Sequence, residues 1–213
     1  MADSTRMTEL DLLVGSIFTT RPDEDRELFE EEREWLSDIQ DLLREEGVEV
    51  DLLSRPGVEI WEGGIEHFMD LYQLRLLAAY LERGRDIAPI LDPNAELESE
   101  PDPLLAAIWD GEEPTRFPHL INHQADGGYY LPVEFAEPIW LEFDQEEPSD
   151  GEELQEPVVS FGSSIALQRE LVELEELLRQ ARVPEQSAPF RCLRVLREAA
   201  DQSVATDLPI IIW

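Results

Sequence analysis

Two of the three histidines stand four residues apart, at His119 and His123. On a helix this spacing places two imidazoles on one face, where they can hold a metal ion. Asp126 and Glu134 could complete such a site with oxygen ligands. The segment 117–123 is predicted as strand or loop, however, where the spacing loses that meaning, and no Glu follows the first histidine as in metalloproteases. We therefore predict no metal and no cofactor, and interpret the pair as ordinary sheet and loop histidines.

A turn followed by two aromatic residues comes next in the chain, over residues 126–130. One interpretation is a β-hairpin whose rings pack across strands. The other is a ligand-binding or partner-binding loop, because glycine lets the backbone approach a ligand closely. Both remain open. The second defines an alternative ligand site made of His119, His123, Asp126, Tyr129 and Tyr130.

Two other segments carry groups with chemistry of their own. Ser163 or Ser164 follows an apolar run, and we predict that it caps a helix, because the lysine and glycines of a phosphate-binding loop are missing. Cys192 lies between Arg191 and Arg194, which could lower its pKa, but a buried structural thiol is the predicted state. A single cysteine also excludes an internal disulfide and a four-cysteine zinc site.

Carboxylates outnumber every other reactive group. The chain has 50 Asp and Glu against 16 basic residues, all of them Arg, for a net charge of −34. So many candidates give no evidence for a particular acid–base pair. A surface this acidic repels phosphate groups, so direct binding to DNA, RNA or an anionic membrane is not expected. Its charge suits either a saline or compositionally biased environment, or a surface that meets a basic partner or imitates nucleic acid.

The segment from Pro22 to Glu46 organises many of these acids. It is predicted as a helix, because apolar residues recur at helical spacing while the opposite face is nearly all acidic. The apolar stripe comprises Leu28, Phe29, Trp35, Leu36, Ile39, Leu42 and Leu43. On the acidic face we predict that a partner is bound by Glu30, Glu31, Glu34, Asp38 and Asp41.

Short strands and helices alternate irregularly along the rest of the chain. Strands are predicted at 12–18, 48–53, 58–61, 120–122, 129–135, 139–143, 157–161 and 208–213, and helices at 65–83, 104–109, 163–181 and 190–205. The acidic stretches 92–103 and 144–156 are predicted as loops. This order predicts one α+β domain over residues 1–213, with about four helices packed on a mixed or antiparallel sheet of short strands.

No targeting or membrane segment is expected. Residues 1–11 lack the basic and apolar regions of a signal peptide, and no stretch approaches the roughly 20 apolar residues of a membrane span. The predicted location is the cytoplasm.

Several of these segments together resemble a signature of small uncharacterised bacterial proteins. They are residues 117–123 with 128–135, the Gly162-Ser163-Ser164 start of a Leu-rich helix, and the last helix with the Leu208-Pro209-Ile210-Ile211 segment that follows it. Where that pattern has an acidic, cysteine-containing turn, this chain has residues 124–127. The resemblance covers the C-terminal half and implies bacterial origin and one α+β domain. By analogy, small acidic bacterial proteins of this kind are often toxin-neutralising immunity proteins.

Three functional hypotheses follow. The first is a non-catalytic acidic module that binds a basic protein, as an immunity or inhibitor protein does. The second is an enzyme or ligand-binding domain that uses the region of His119 and His123. The third is a halophile-style structural protein without a charge-specific partner, which an even scatter of acids over the surface would favour.

Overall fold

A mixed sheet of six strands runs through the part of the chain that the computed structural model describes, which is residues 8–92, 101–124, 126–142 and 158–213. The strands are β1 (Leu10–Gly15), β2 (Glu59–Ile65), β3 (Gly128–Leu131), β4 (Ile139–Glu142), β5 (Val158–Ser163) and β6 (Ile210–Ile212). Their order across the sheet is β2-β1-β6-β3-β5-β4, with β3 and β5 parallel and every other pair antiparallel. The predicted loop 144–156 and most of the loop 92–103 lie outside the described residues.

Four long helices and two short ones accompany the sheet in the described residues. They are α1 (Arg26–Glu45), α2 (Phe68–Leu81), α3 (Pro103–Trp109), α4 (Pro118–Ile121), α5 (Ser164–Gln180) and α6 (Ala188–Thr206). The predicted α+β fold is confirmed. None of these described helices is long and apolar enough to cross a membrane.

The two faces of the sheet are covered unequally. Leu12 and Val14 of β1 point into a large core shared with helices α2 to α6. The other face forms a smaller core around Phe161, and among the described helices α1 alone supplies buried residues to it. Helix α1 is therefore separated from α5 and α6 by the sheet.

Strand β6, which lies within the strand predicted at 208–213, is in the middle of the sheet. It pairs with β1 on one side and with β3 on the other. Ile210 and Ile212 are buried in the large core, and Ile211 packs against the smaller one. A strand that is apolar on both faces is stable only where both faces are covered.

Three predicted elements differ in the structure. The segment 48–53 is no strand, although Val48 and Leu52 are buried beneath α1, because the Leu52 N–H donates to the Gln40 side chain at 3.0 Å rather than to a strand. The segment 120–122 belongs to or ends the helical turn α4. The strand predicted at 58–61 is longer, because Gly63 and its neighbour Gly64 lie within β2.

The two glycines of β2 allow neighbouring side chains to pack closely against the strand. A Cβ at Gly63 would lie 2.3 Å from the Trp61 ring, and one at Gly64 would lie 2.5 Å from the Thr8 methyl group. Neighbouring side chains therefore cross directly over the strand backbone.

Candidate partner-binding surface

Helix α1 has well-defined ends. The Asp25 carboxylate accepts hydrogen bonds from the N–H groups of Glu27 and Leu28, at 3.1 and 3.2 Å, and so caps the first turn. Gly47, with φ of 83°, follows the last turn in the left-handed conformation that glycine adopts without strain. The helix therefore presents 20 residues in one continuous register.

Glu32 ties this helix to the end of the first strand. One of its oxygens accepts from the N–H and the hydroxyl of Thr19, both at 2.8 Å, and the other accepts from the Thr20 N–H at 2.9 Å. Burial raises the pKa of Glu32, but these hydrogen bonds outweigh it, so that the pKa lies below its usual value. Glu32 thus fixes the rotation of α1, which turns the remaining carboxylates outward.

We use the term carboxylate ridge for seven exposed acidic residues of α1: Glu27, Glu30, Glu31, Glu34, Asp38, Asp41 and Glu45. At 3.6 residues per turn they fall within an arc of about 100°, opposite the buried Leu36, Ile39 and Leu43, and extend about 27 Å along the helix. The five residues predicted to bind a partner all belong to the ridge.

Two of these five residues form an ion pair with a neighbouring arginine. Glu30 lies 3.3 Å from Arg33, and Asp41 contacts Arg44. Exposed pairs of this kind contribute little and are easily exchanged for another cation. Glu31, Glu34 and Asp38 are exposed and form no ion pair within the described part of the chain.

Charge is distributed very unequally between the two faces of the sheet. Residues 23–51, which include α1, have fourteen acids and three Arg. Residues 164–207, which form α5 and α6 on the other face, have eight acids and six Arg. Ion pairs there engage Arg169, Arg179, Arg191, Arg194 and Arg197. The acids of the described residues are therefore not evenly scattered, which favours the partner-binding hypothesis over the structural one.

An exposed apolar row also lies on α1, where the sequence predicts a buried stripe. Leu28, Trp35 and Leu42 keep 50%, 41% and 36% of their surface exposed. The predicted stripe was too wide, because Leu36, Ile39 and Leu43 are buried and Phe29 packs against the same core, whereas Leu28, Trp35 and Leu42 stay exposed. The signal in the sequence is the spacing of seven residues, which places all three on one flank of the helix, between the buried arc and the carboxylate ridge.

The first of the alternative ligand residues, His119, is fully buried and bonded through both ring nitrogens. Nε2 donates to the Phe135 carbonyl at 3.0 Å, and Nδ1 accepts from the Ser163 N–H at 3.0 Å. These partners fix a single neutral tautomer, and burial lowers the pKa of His119. The imidazole thus joins α4 to the start of α5.

His123 is buried beside Tyr130. Its Nδ1 lies 2.9 Å from the Gln124 carbonyl, and its Nε2 lies 3.0 Å from the Tyr129 carbonyl. Burial lowers the pKa of His123 to about 4, so the ring is neutral at pH 7. Its ring stacks on Tyr130 with centroids 4.0 Å apart, and the Tyr130 hydroxyl donates to the His119 carbonyl at 2.9 Å.

The other two alternative residues lie elsewhere. Tyr129 points to the opposite face of the sheet, where its ring stacks on Phe161 with centroids 5.3 Å apart, and Asp126 is exposed. The hairpin, which was one of the two interpretations of residues 126–130, does not form, because β3 pairs with β6 and β5. Within the described ranges no group of three His, Cys, Asp or Glu side chains could hold a metal ion. The ligand-binding alternative stays a prediction.

Gly162 permits this stacked arrangement. A Cβ there would lie 2.4 Å from the Tyr130 ring and 3.0 Å from His123, and both rings are buried. We expect Gly162→Ala to lower the free energy of unfolding by about 2 kcal/mol, because an overpacked core must shift its side chains. Urea denaturation measures this. Gly127→Ala, whose Cβ would meet nothing closer than 3.5 Å, is the control, and equal effects of the two substitutions would contradict the assignment.

The two remaining sequence predictions are confirmed. The Ser163 hydroxyl accepts from the Ala166 N–H at 3.0 Å and caps α5. Cys192 is buried with a free thiol, and burial raises the pKa of that thiol. Glu170 was missed by the sequence analysis. It is buried, and its two oxygens accept from the N–H groups of His119 and Leu120, at 3.1 and 2.9 Å.

The fold and this surface define an acidic α+β protein whose most distinctive exposed feature is a one-sided concentration of carboxylates. The chain belongs to the family described as "Putative DNA-mimic protein", whose model matches residues 8–212. No curated protein and no solved structure matches the chain. The family agrees with the general part of the first hypothesis, which is that the chain is an acidic module that binds a protein.

The family corrects two expectations from the sequence. The match extends over nearly the whole chain rather than the C-terminal half, and it does not support an immunity protein. The expected partner was a basic protein, direct binding to nucleic acid was not expected, and imitation of nucleic acid was only one alternative for the acidic surface. A DNA mimic points instead to proteins that bind DNA, with nucleic acid as the molecule that is imitated.

Proposed function

We propose that this protein mimics DNA, and that the carboxylate ridge of α1 occupies the DNA-contacting surface of a DNA-binding protein. The observation that carries the proposal is the one-sided charge: fourteen acids against three Arg in residues 23–51, beside the nearly balanced α5 and α6. Family membership supports the same conclusion.

The spacing of the ridge supports this proposal. Seven carboxylates over about 27 Å give one charge per roughly 4 Å of helix axis. One strand of duplex DNA presents one phosphate per about 3.4 Å of its axis. The spacing of negative charges along α1 is therefore similar to that along one DNA strand. A protein whose Lys and Arg side chains are spaced to contact phosphates could contact the ridge in the same way.

Charge on this scale also acts before contact. A net charge of −34 attracts a cationic surface over the Debye length, which is about 10 Å at 0.1 M salt. Association is accordingly fast at low salt and slows as salt is added.

Displacement of proteins from DNA tests the proposal. Duplex DNA on a solid support is loaded with an extract of the organism that encodes the chain, washed, and then treated with the purified protein at constant salt. We expect it to release a defined set of DNA-binding proteins that buffer alone leaves bound, because the mimic and DNA compete for one surface. Mass spectrometry identifies the released proteins.

Polyglutamate at the same charge concentration is the matched control, since it offers carboxylates without a fixed arrangement. Release of the same proteins by both would show that only bulk charge acts, and release of none by the protein would overturn the proposal.

A further inference from the structure

Acidic and apolar side chains alternate along one flank of α1. The order is Leu28, Glu31, Trp35, Asp38, Leu42 and Glu45, at successive spacings of three and four residues. Residues three and four apart are neighbours on a helix surface. This interleaved row is therefore one continuous strip, about 25 Å long, rather than an apolar patch separate from the ridge.

The three apolar members of the row are the large hydrophobic residues of α1 that remain exposed, and Leu28 is half exposed. A Trp with 41% of its surface exposed, between two exposed Leu residues, has an unfavourable contact with water that binding would remove. Their alternation with carboxylates limits which molecule can cover them.

A second copy of the chain would bring two carboxylate ridges together, and an anionic membrane would meet the same repulsion. Charge complementarity instead selects a cationic surface that also presents apolar side chains. DNA-reading elements have this composition, because Lys and Arg contact phosphates while Ala, Thr or Phe side chains contact thymine methyl groups.

We infer that Leu28, Trp35 and Leu42 contact the groove-reading side chains of the partner, so that the mimic reproduces the apolar component of a DNA groove as well as its phosphates. The inference rests on the proposed function and specifies its partner as a protein that reads a groove. It explains how an acidic protein can select one DNA-binding protein rather than any polycation, since a flexible polycation gains much less from the apolar groups than a matching protein surface does.

The test compares two ligands and two kinds of variant. The ligands are a DNA-binding protein released in the displacement experiment and a polylysine peptide, whose compact hydrated ammonium groups offer mainly charge. The variants are Leu28→Gln with Trp35→Gln and Leu42→Gln together, which keep every carboxylate, and Leu28→Gln alone, which changes the most exposed of the three. Circular dichroism and thermal unfolding establish that each variant is folded.

We expect the triple variant to bind the released protein about 30-fold more weakly, as loss of an aromatic-centred contact does, and Leu28→Gln to bind it about 3-fold more weakly. Binding of polylysine should stay within about 2-fold for both, because exposed charge interactions do not depend on the apolar row. The salt dependence of the residual binding should stay that of the wild type, because the triple variant keeps every carboxylate and loses only apolar contacts.

Wild-type affinity of both variants for the released protein would overturn this inference. The proposed function would survive that result, provided that neutralising the ridge weakens the same complex. If the wild-type protein displaces nothing from DNA, the proposed function is wrong and this inference falls with it.

Discussion

Replacing Glu31, Glu34 and Asp38 together by Gln, Gln and Asn is expected to weaken binding to a displaced DNA-binding protein about 100-fold at low salt. The three side chains are exposed and form no ion pair within the described residues, so the amides keep shape and packing while three charges are lost. A loss of about 1 kcal/mol for each contact gives about 3 kcal/mol, or about 100-fold in Kd. Isothermal titration calorimetry or surface plasmon resonance measures the change.

A second triple variant separates position from net charge. Glu112, Glu176 and Glu198 are exposed residues in or beside the helices on the other side of the sheet. Changing these three to Gln removes the same charge from the molecule but leaves the ridge intact. It should weaken binding by no more than about 3-fold, through long-range attraction alone. Equal losses in both variants would show that the ridge has no special part.

Glu170 is expected to make the free energy of unfolding fall as the pH rises from 5 to 8. Burial raises the pKa of Glu170 to about 8, although the N–H groups of His119 and Leu120 donate to it and lower the pKa. The smaller effects of the nearby charges differ in sign, since Glu137 raises the pKa and Arg169 lowers it. In the unfolded chain the pKa lies near 4.5. Between these values the folded state holds a proton that the unfolded state has lost, so stability present below pH 4.5 is lost as the pH passes through 8.

The slope reaches about 1.4 kcal/mol per pH unit, and the loss between pH 5 and pH 8 is on the order of 4 kcal/mol. Urea denaturation at several pH values measures it in the wild type and in Glu170→Gln. The amide keeps one acceptor for the two N–H groups, so the variant is less stable at low pH, but its stability curve should lack this slope. Glu176→Gln on the same helix controls for the lost charge, and parallel curves for the wild type and Glu170→Gln would contradict the prediction.

Patterns that repeat along one element were predictable from the sequence. The acidic face of α1 follows a spacing of 3.6 residues, so the direction of its side chains follows from local geometry, and the strand 210–212 is a continuous apolar run. The ridge was found in this way, and its five predicted members are all exposed. The width of the buried arc of α1 could not be predicted from the spacing, because the number of apolar side chains that reach the core depends on the residues beneath the helix.

Contacts between distant segments could not be predicted in the same way. The hydrogen bonds of His119 join it to residues 16 and 44 positions away, and Gly64 is accommodated in a strand because the side chain of the distant Thr8 lies over it. Each depends on where the sheet brings remote backbone, which no local spacing records. The i, i+4 histidine pair was for this reason open to interpretation as a ligand pair, whereas the structure uses both rings to join backbone segments.

The position of β6 has a consequence for synthesis of the protein on the ribosome. The pair of strands β2 and β1 and the trio β3, β5 and β4 have no ladder to each other until residues 210–212 are inserted between them. A nascent chain that has emerged only as far as α6 thus has two incomplete half-sheets, each with an open edge. Completion of the fold waits for the last strand, and joining such distant segments is slow. A ribosome-bound intermediate of this protein therefore exposes edges that the finished molecule closes.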